Sequence, residues 1–494
     1  MNKLSQTLQE KYPHLEVSVL KLSEVKKDNE SFRIDSEYFK KEYLENENRI
    51  KSTQIIKNFI NTKIKNIKSL KLNKSFNYLQ ISDIDLNNGI EYSITEIDCK
   101  DIPDRATYVL QKNDICVSTV RPNRNAVALI KNPKRLVGTS GFAVLRLTSR
   151  DILPEVLYIF VKTDYFITKM MRANTASLYP AVLDSDIHKC KIPIFPMPFQ
   201  LEIEKLVKDS HKALESSKAL YKEAEALLYE ALGLDSKNPL QSILHSHYES
   251  LPYHSKQNEN SVDAKSNQIP NYTIATLKES FIKTGRLDAE YYQSKYEDIE
   301  RFIKNYKGGY GIVSDFFTQN KNICDFSKPY YNYIEIGDIN TSNGNINYNK
   351  IATNELPANA KIMVRKGDIL ISKVRPYRGA IGIVNVEKDN LIASGAFVVL
   401  QEKGSIKKEF LQVLLRTSVY KEWVLRYNVG TSYPVIKDED ILNLPIPLFD
   451  STTQAQIATY IQKSFELRAE AKKLLESAKA EVESALNNAN NGGG

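Results

Sequence analysis

No stretch of the sequence is long and apolar enough to span a membrane. The longest apolar runs, such as Ile369-Leu370-Ile371 and Phe397-Val398-Val399-Leu400, are strand-sized, far short of the about 20 residues a spanning helix needs. Cysteine is scarce: Cys99, Cys116, Cys190 and Cys324 lie far apart with no CxxC pair, which argues against both a disulfide framework and a cysteine zinc site. The six histidines are scattered too, and His245 and His247, the nearest pair, have no companion ligands at metal spacing. Glycine never forms a phosphate cradle. Gly308-Gly309-Tyr310-Gly311 lacks the spacing of a dinucleotide site, and no Gly-Lys-Ser or Gly-Lys-Thr occurs.

Proline is never doubled. The target-base motif of adenine-methylating enzymes, an acid or Asn followed by Pro-Pro and an aromatic, is therefore missing. A nuclease would need clustered carboxylates and a lysine; Asp98-Cys99-Lys100 has the local form but stands alone. No Ser-His or Cys-His arrangement recurs. Neither catalysis by the chain itself nor a cofactor or metal is expected. Met1 to Glu10 is polar, with no apolar core, so a secretory leader is not expected and the protein should stay in the cytoplasm.

What is present is ordinary globular composition, 42% hydrophobic and 26% charged. A chain of 494 residues exceeds the roughly 250 to 300 residues at which single cores stop growing, so two to four domains are expected. The net charge of +8, from 68 basic and 60 acidic side chains, is a weak argument for nucleic acid. Lys51 to Ser75 is more informative, with seven lysines (Lys51, Lys57, Lys63, Lys65, Lys68, Lys71, Lys74) and no acid; a solvated face is the ordinary reading of such a run.

The chain contains itself twice, at an offset of about 254 residues. Phe32 to Phe39 recurs as Gly285 to Tyr292, aligning Arg33 with Arg286, Asp35 with Asp288 and Glu37 with Glu290. Asn77 to Asp83 returns as Asn332 to Asp338, each followed by an Asn-Gly turn at Asn88-Gly89 and Asn343-Gly344. The strongest pair is Lys112 to Arg124 against Lys366 to Arg378, a strand ending in an Arg-Pro-x-Arg corner. Ser140-Gly141, Tyr179-Pro180 and Ile192-Pro193 then match Ser394-Gly395, Tyr433-Pro434 and Ile446-Pro447 in the same order.

Each copy closes in a helix free of Gly and Pro, about Phe199 to Leu232 and Thr452 to Leu486. Steps of three and four residues give heptad seams: Ile203, Leu206, Ser210, Ala213, Ser217, Leu220, Ala224, Leu227, Ala231 and Ile457, Tyr460, Ser464, Leu467, Ala471, Leu474, Ala478, Glu481, Ala485. Small residues at alternate contacts favour close approach of two helices, each the other's partner. The expected fold class is α+β: a tandem repeat of two mixed α/β domains joined by two long antiparallel coiled-coil helices. The expected bounds are a first domain over 1–198, its helix over 199–233, a polar linker over 234–271 with a short helix near Leu240 to Tyr248, a second domain over 272–451, its helix over 452–487 and a disordered tail over 488–494.

The recurring polar set suits a polyanion. Arg121 and Arg124, like Arg375 and Arg378, flank a proline that fixes the backbone, and guanidinium forks fit phosphate oxygens and guanine edges alike. Arg172 and Arg426 precede the Tyr-Pro loops, and Tyr179 and Tyr433 lie within them. An Arg-Pro corner can equally salt-bridge its own domain, and a loop Tyr often packs on a core.

These features together resemble the specificity subunits of type I restriction and modification systems, over nearly the whole chain. The resemblance rests on Ala176-Ser177-Leu178-Tyr179-Pro180, Asp186-Ile187 and Ile192-Pro193, and on Gly430-Thr431-Ser432-Tyr433-Pro434, Asp440-Ile441 and Leu444-Pro445, each set ahead of a long helix. The first copy has Asn174-Thr175-Ala176 where the second has Asn428-Val429-Gly430. The resemblance implies two target recognition domains related by a pseudo-twofold, each reading one half of a bipartite double-stranded DNA site. It also implies a non-catalytic subunit that recruits two adenine methyltransferase subunits and restriction subunits, with the helix pair setting the gap. A helix of this length is about 50 Å long, equivalent to roughly 15 base pairs. The alternative is a stand-alone DNA methyltransferase or nuclease with an unrecognised site.

Overall fold

The computed structural model describes residues 3–26, 29, 32–69, 75–86, 92, 94–174, 179–248, 276–430 and 433–488. The turn at Asn88-Gly89, Lys71 and Lys74, the loop residues 175–178 and 431–432, most of the linker beyond residue 248 and the tail beyond residue 488 lie outside them. The chain gathers into two compact units, Met1–Glu215 with Arg468–Gly494, and Ser216–Leu467. Each unit holds one copy of the repeat's strands and half of each long helix.

Both units repeat one topology. In the first, the antiparallel sheet Ile60–Asn61, Phe142–Leu147, Ile115–Ser118, Val127–Leu129 faces a second sheet of order Thr95–Ile97, Phe76–Leu79, Leu136–Thr139, Ala106–Val109, whose central pair is parallel. The second unit has the same orders: Phe317–Gln319, Phe397–Glu402, Ile369–Ser372, Ile381–Ile383, and Asn349–Ala352, Tyr330–Ile334, Leu391–Ser394, Ala360–Met363, again with a parallel central pair.

The central strands read as unbroken apolar runs because they are covered on both faces, which removes the usual alternation. Successive side chains point to opposite faces. Ile369 and Ile371 therefore enter the core shared with the helices, including Phe410, Trp423, Leu228 and Ile457. Leu370 points the other way, into a core between the sheets with Ile334, Leu391, Phe397 and Val399. The first unit has the matching inter-sheet core of Leu79, Leu136, Cys116, Phe142 and Val144.

The long helices run over Met197–Leu232 and Ser451–Asn488. Gly233 ends the first at φ +72°, where the bonds Gly233 N–H to Glu230 O and Leu234 N–H to Tyr229 O, both 2.9 Å, form a Schellman closure that satisfies two terminal carbonyls. Asp450 starts the second, accepting from the Thr453 N–H at 2.9 Å and hydroxyl at 2.7 Å; these bonds hold its carboxyl below the usual range.

Within the first unit the Ser210 hydroxyl donates to Ala471 O at 2.8 Å, and within the second Ser217 and Ser464 share a 2.8 Å hydroxyl bond. The register is antiparallel, with small side chains at these crossings. The buried seam differs from the expected one at most of the alternate positions, although Ala213 is buried as expected. Val207 and Leu228 are buried on the first helix, and Ile461, Leu475 and Val482 on the second, each one residue beyond Leu206, Leu227, Tyr460, Leu474 and Glu481, while Leu214 is buried alongside Ala213. Starting at Ile203 and Ile457 the steps run four then three, not three then four; both orders satisfy a heptad, and only packing selects between them. The linker's helix spans Pro239–Tyr248.

Candidate nucleic-acid interface

The two Arg-Pro corners have one geometry. Arg121 adopts φ 50°, ψ 61° and Arg375 φ 47°, ψ 54°, each ahead of a short turn, Pro122–Arg124 or Pro376–Arg378. A left-handed non-glycine residue costs roughly 1–2 kcal/mol. Two tethers hold each corner there. The Arg121 N–H donates to Pro180 O at 2.6 Å and the Val182 N–H to Thr119 O at 2.9 Å; the Arg375 N–H donates to Pro434 O at 2.8 Å and the Ile436 N–H to Lys373 O at 3.0 Å. The corner and the Tyr-Pro loop thus pair as isolated bridges, Val120 with Ala181 and Val374 with Val435. Beneath them the Ser118 hydroxyl donates to Val120 O at 2.7 Å and the Ser372 hydroxyl to Val374 O at 2.8 Å.

This pairing brings Arg and Tyr together in both copies. The Arg121 guanidinium lies 5.2 Å from the Tyr179 ring centroid and that of Arg375 4.7 Å from the Tyr433 centroid. The rings remain 64% and 68% exposed. Each is a flat aromatic and cationic platform with one edge on solvent, a surface suited to phosphate or to a base. Arg124 and Arg378, on the far side of the prolines, are exposed. Among the described residues, no ion pair joins Arg121, Arg124 or Arg378 to a carboxylate. The described lysines of the run, Lys51, Lys57, Lys63, Lys65 and Lys68, are all exposed.

Arg172 and Arg426 lie elsewhere. Arg172 is 6% exposed, ion-paired to Glu47 at 3.0 Å, bonded through Nε to Tyr38 O at 3.2 Å and stacked 4.4 Å from the Tyr38 ring centroid. Arg426 repeats the arrangement with Glu300 at 2.8 Å and the Tyr291 ring at 4.8 Å. Arg33 lies 4.9 Å from the Tyr38 ring and Arg286 4.6 Å from that of Tyr291. Arg33 grips Asp35 through two nitrogens at 2.8 Å and reaches Asn174 O at 2.7 Å; Arg286 grips Asp288 and reaches Asn428 O at 3.0 Å. These forked bonds raise both arginines and hold both aspartates below the usual carboxylate range.

The repeated Arg-x-Asp motif near each copy's start is therefore a clasp on the root of the Tyr-Pro loop. Glu47 and Glu300, which complete it, carried no signal in a single copy. Their equal spacing from Tyr38 and Tyr291 is what could have shown them.

Residues 312–479 match the family model described as the type I restriction modification DNA specificity domain. The type I restriction enzyme HindI specificity subunit of Haemophilus influenzae is 33% identical over 111 residues, 22% of this chain and 24% of that protein. The MjaVIII specificity subunit of Methanocaldococcus jannaschii is 27% identical over 135 residues, 26% of this chain and 31% of that protein. The chain thus matches less than a third of the length of either curated relative. A crystal structure of an HsdS subunit from Thermoanaerobacter tengcongensis is 18% identical, covering 88% of this chain and 96% of that one, with a TM-score of 0.31. The match over residues 312–479, which carry the Arg375 and Tyr433 platform, is to the same family that the repeats of the whole chain resemble.

Proposed function

We propose that the chain is the DNA sequence-specificity subunit of a type I restriction–modification complex and is not itself catalytic. Each domain reads one half of a bipartite double-stranded site, and the helix pair sets the gap. The observation that carries this reading is the Arg-over-Tyr platform, built twice on the same strained corner. A left-handed position that glycine would fill without strain holds arginine in both copies, so the side chain is retained for what it does. The domain bounds expected from the sequence, 1–198 and 272–451, are proposed as the two recognition domains.

Arg121, Arg124, Tyr179, Arg375, Arg378 and Tyr433 are the proposed DNA contacts. Arg172 and Arg426 act behind them, supporting the Tyr-Pro loops through the clasp. The proposed partners are two adenine methyltransferase subunits and, for cleavage, restriction subunits, which supply the chemistry. Among the described residues no helix is long and apolar enough to cross a membrane.

Purified chain with DNA, magnesium and a methyl donor tests the reading against a stand-alone enzyme. Neither cleavage nor methylation is expected without partners; with a methyltransferase partner, methylation at a two-part site is expected. Turnover by the chain alone would sink the proposal.

A further inference from the structure

Arg416 ends the helix Lys408–Arg416 and is 5% exposed. Its Nε donates to the Tyr221 hydroxyl at 2.7 Å, on the part of the first long helix that belongs to the same unit. Its Nη1 donates to Gly379 O and Ile381 O, both at 3.1 Å, and more distantly to Asn340 O at 3.5 Å; its Nη2 donates to Thr341 O at 2.8 Å. Gly379 closes the turn that carries Arg378. One guanidinium thus joins three elements of the second unit: the long helix, the Arg-Pro-Tyr-Arg corner and the Asn340–Gly344 turn.

The fit is close. Gly344 has φ +75°, and a Cβ there would lie 2.8 Å from Ile381 O and 3.2 Å from Arg416 Nη1. Only a five-donor planar fork can serve carbonyls on two loops and a hydroxyl on a helix at once; a lysine has three donors at one point.

Among the described residues the first copy shows no such hub. At the repeat offset Arg416 corresponds to Lys162 and Tyr221 to Leu475, which carries no hydroxyl. The Lys162 ammonium lies 5.8 Å from the Tyr158 ring centroid, and what meets its corner is its backbone carbonyl, which accepts from Asn125 Nδ2 at 3.2 Å. The two copies share the platform and differ in how it is tied.

We propose that Arg416 is a positioning residue that locks the second DNA-reading corner to the first long helix, so that the place of the second half-site along the duplex follows that helix. This rests on the proposed reading of the chain as a specificity subunit.

The test uses the full chain with its methyltransferase partner. Methylome sequencing of cells carrying the wild type gives the site, and competition binding compares duplexes with the native gap and with gaps one base pair longer or shorter. Arg416→Lys and the milder Tyr221→Phe are each expected to reduce discrimination between native and altered gaps by about tenfold, the scale on which a hydrogen bond to a charged group counts, while base preference within each half-site is kept. A purely structural role would lower melting temperature and affinity for all gaps alike. An unchanged ratio in Tyr221→Phe overturns the proposal even if Arg416→Lys fails to fold, and a wild-type chain that binds no two-part site overturns both this and the functional reading.

Discussion

At Arg121 and Arg375 stability and the proposed DNA contact can be separated within single residues. Glycine at either position would relieve the left-handed strain while removing the guanidinium. Arg121→Gly and Arg375→Gly are predicted to keep or slightly raise the melting temperature and to weaken DNA binding by tenfold or more at fixed salt; thermal melts alongside fluorescence anisotropy check this, and a large loss of stability with unchanged affinity would make the corners structural. Arg172→Met should behave in the opposite way. It removes an ion pair and a ring stack from a buried site, at a cost of about 3–5 kcal/mol, so chemical denaturation should show the loss while affinity per folded molecule falls less than in Arg121→Gly. Sequence alone placed Arg172 and Arg426 beside Tyr179 and Tyr433 because they precede the same loops. It could not show that helix geometry turns them inward onto Tyr38 and Tyr291, because those partners lie about 135 residues away.

A further residue-scale difference lies at Lys162, where burial pushes the ammonium down to about 8. A lowered folded value means that the charged form opposes folding: the cost is fully present below pH 8 and is relieved as pH rises from about 8 towards the unfolded value near 10.4. Lys162→Met is predicted to be more stable than the wild type at pH 7, with the advantage shrinking towards pH 10. Melting curves at several pH values, read as the difference between the two proteins, isolate this group.

At the scale of elements, the helix seams depend on small residues. Ser217 and Ser464 meet through their hydroxyls, the Ser464 hydroxyl also donates to Ser217 O at 3.0 Å, and both side chains are fully buried. Ser464→Leu should overpack this crossing and cost about 1–3 kcal/mol, whereas Ser464→Ala should cost about 1 kcal/mol for the lost hydrogen bond; equal effects in urea titrations would mean that the crossing is loose. The helices were the most legible elements, since a run of over thirty residues without Gly or Pro admits little else. Their small contact positions, Ser210, Ser217, Ser464 and Ala471, were also readable, but the alternate positions were not. The sheet order was still less legible, because the parallel pairing of Phe76–Leu79 with Leu136–Thr139 joins segments about 60 residues apart that no local period connects.

At the scale of the whole molecule, the repeat itself carried most of the reading. Each feature that recurs at the offset of about 254 residues, from the Arg-x-Asp clasp to the Tyr-Pro loop, has the same place in both units. Features that the described residues show in one copy alone, such as the hub at Arg416, were invisible until side chains met. Two domains that each grip a short tract gain selectivity through effective concentration when a spacer holds them in phase, and their grip on phosphates should weaken as salt rises. The central claim is that helix length sets the distance between two separately read tracts. Inserting one heptad into each long helix adds about 10.5 Å, equivalent to about three base pairs. Methylome sequencing of cells carrying the lengthened chain with its methyltransferase partner should return the same two half-sites with the gap widened by about three base pairs; the original gap, or a single continuous motif, would contradict the account.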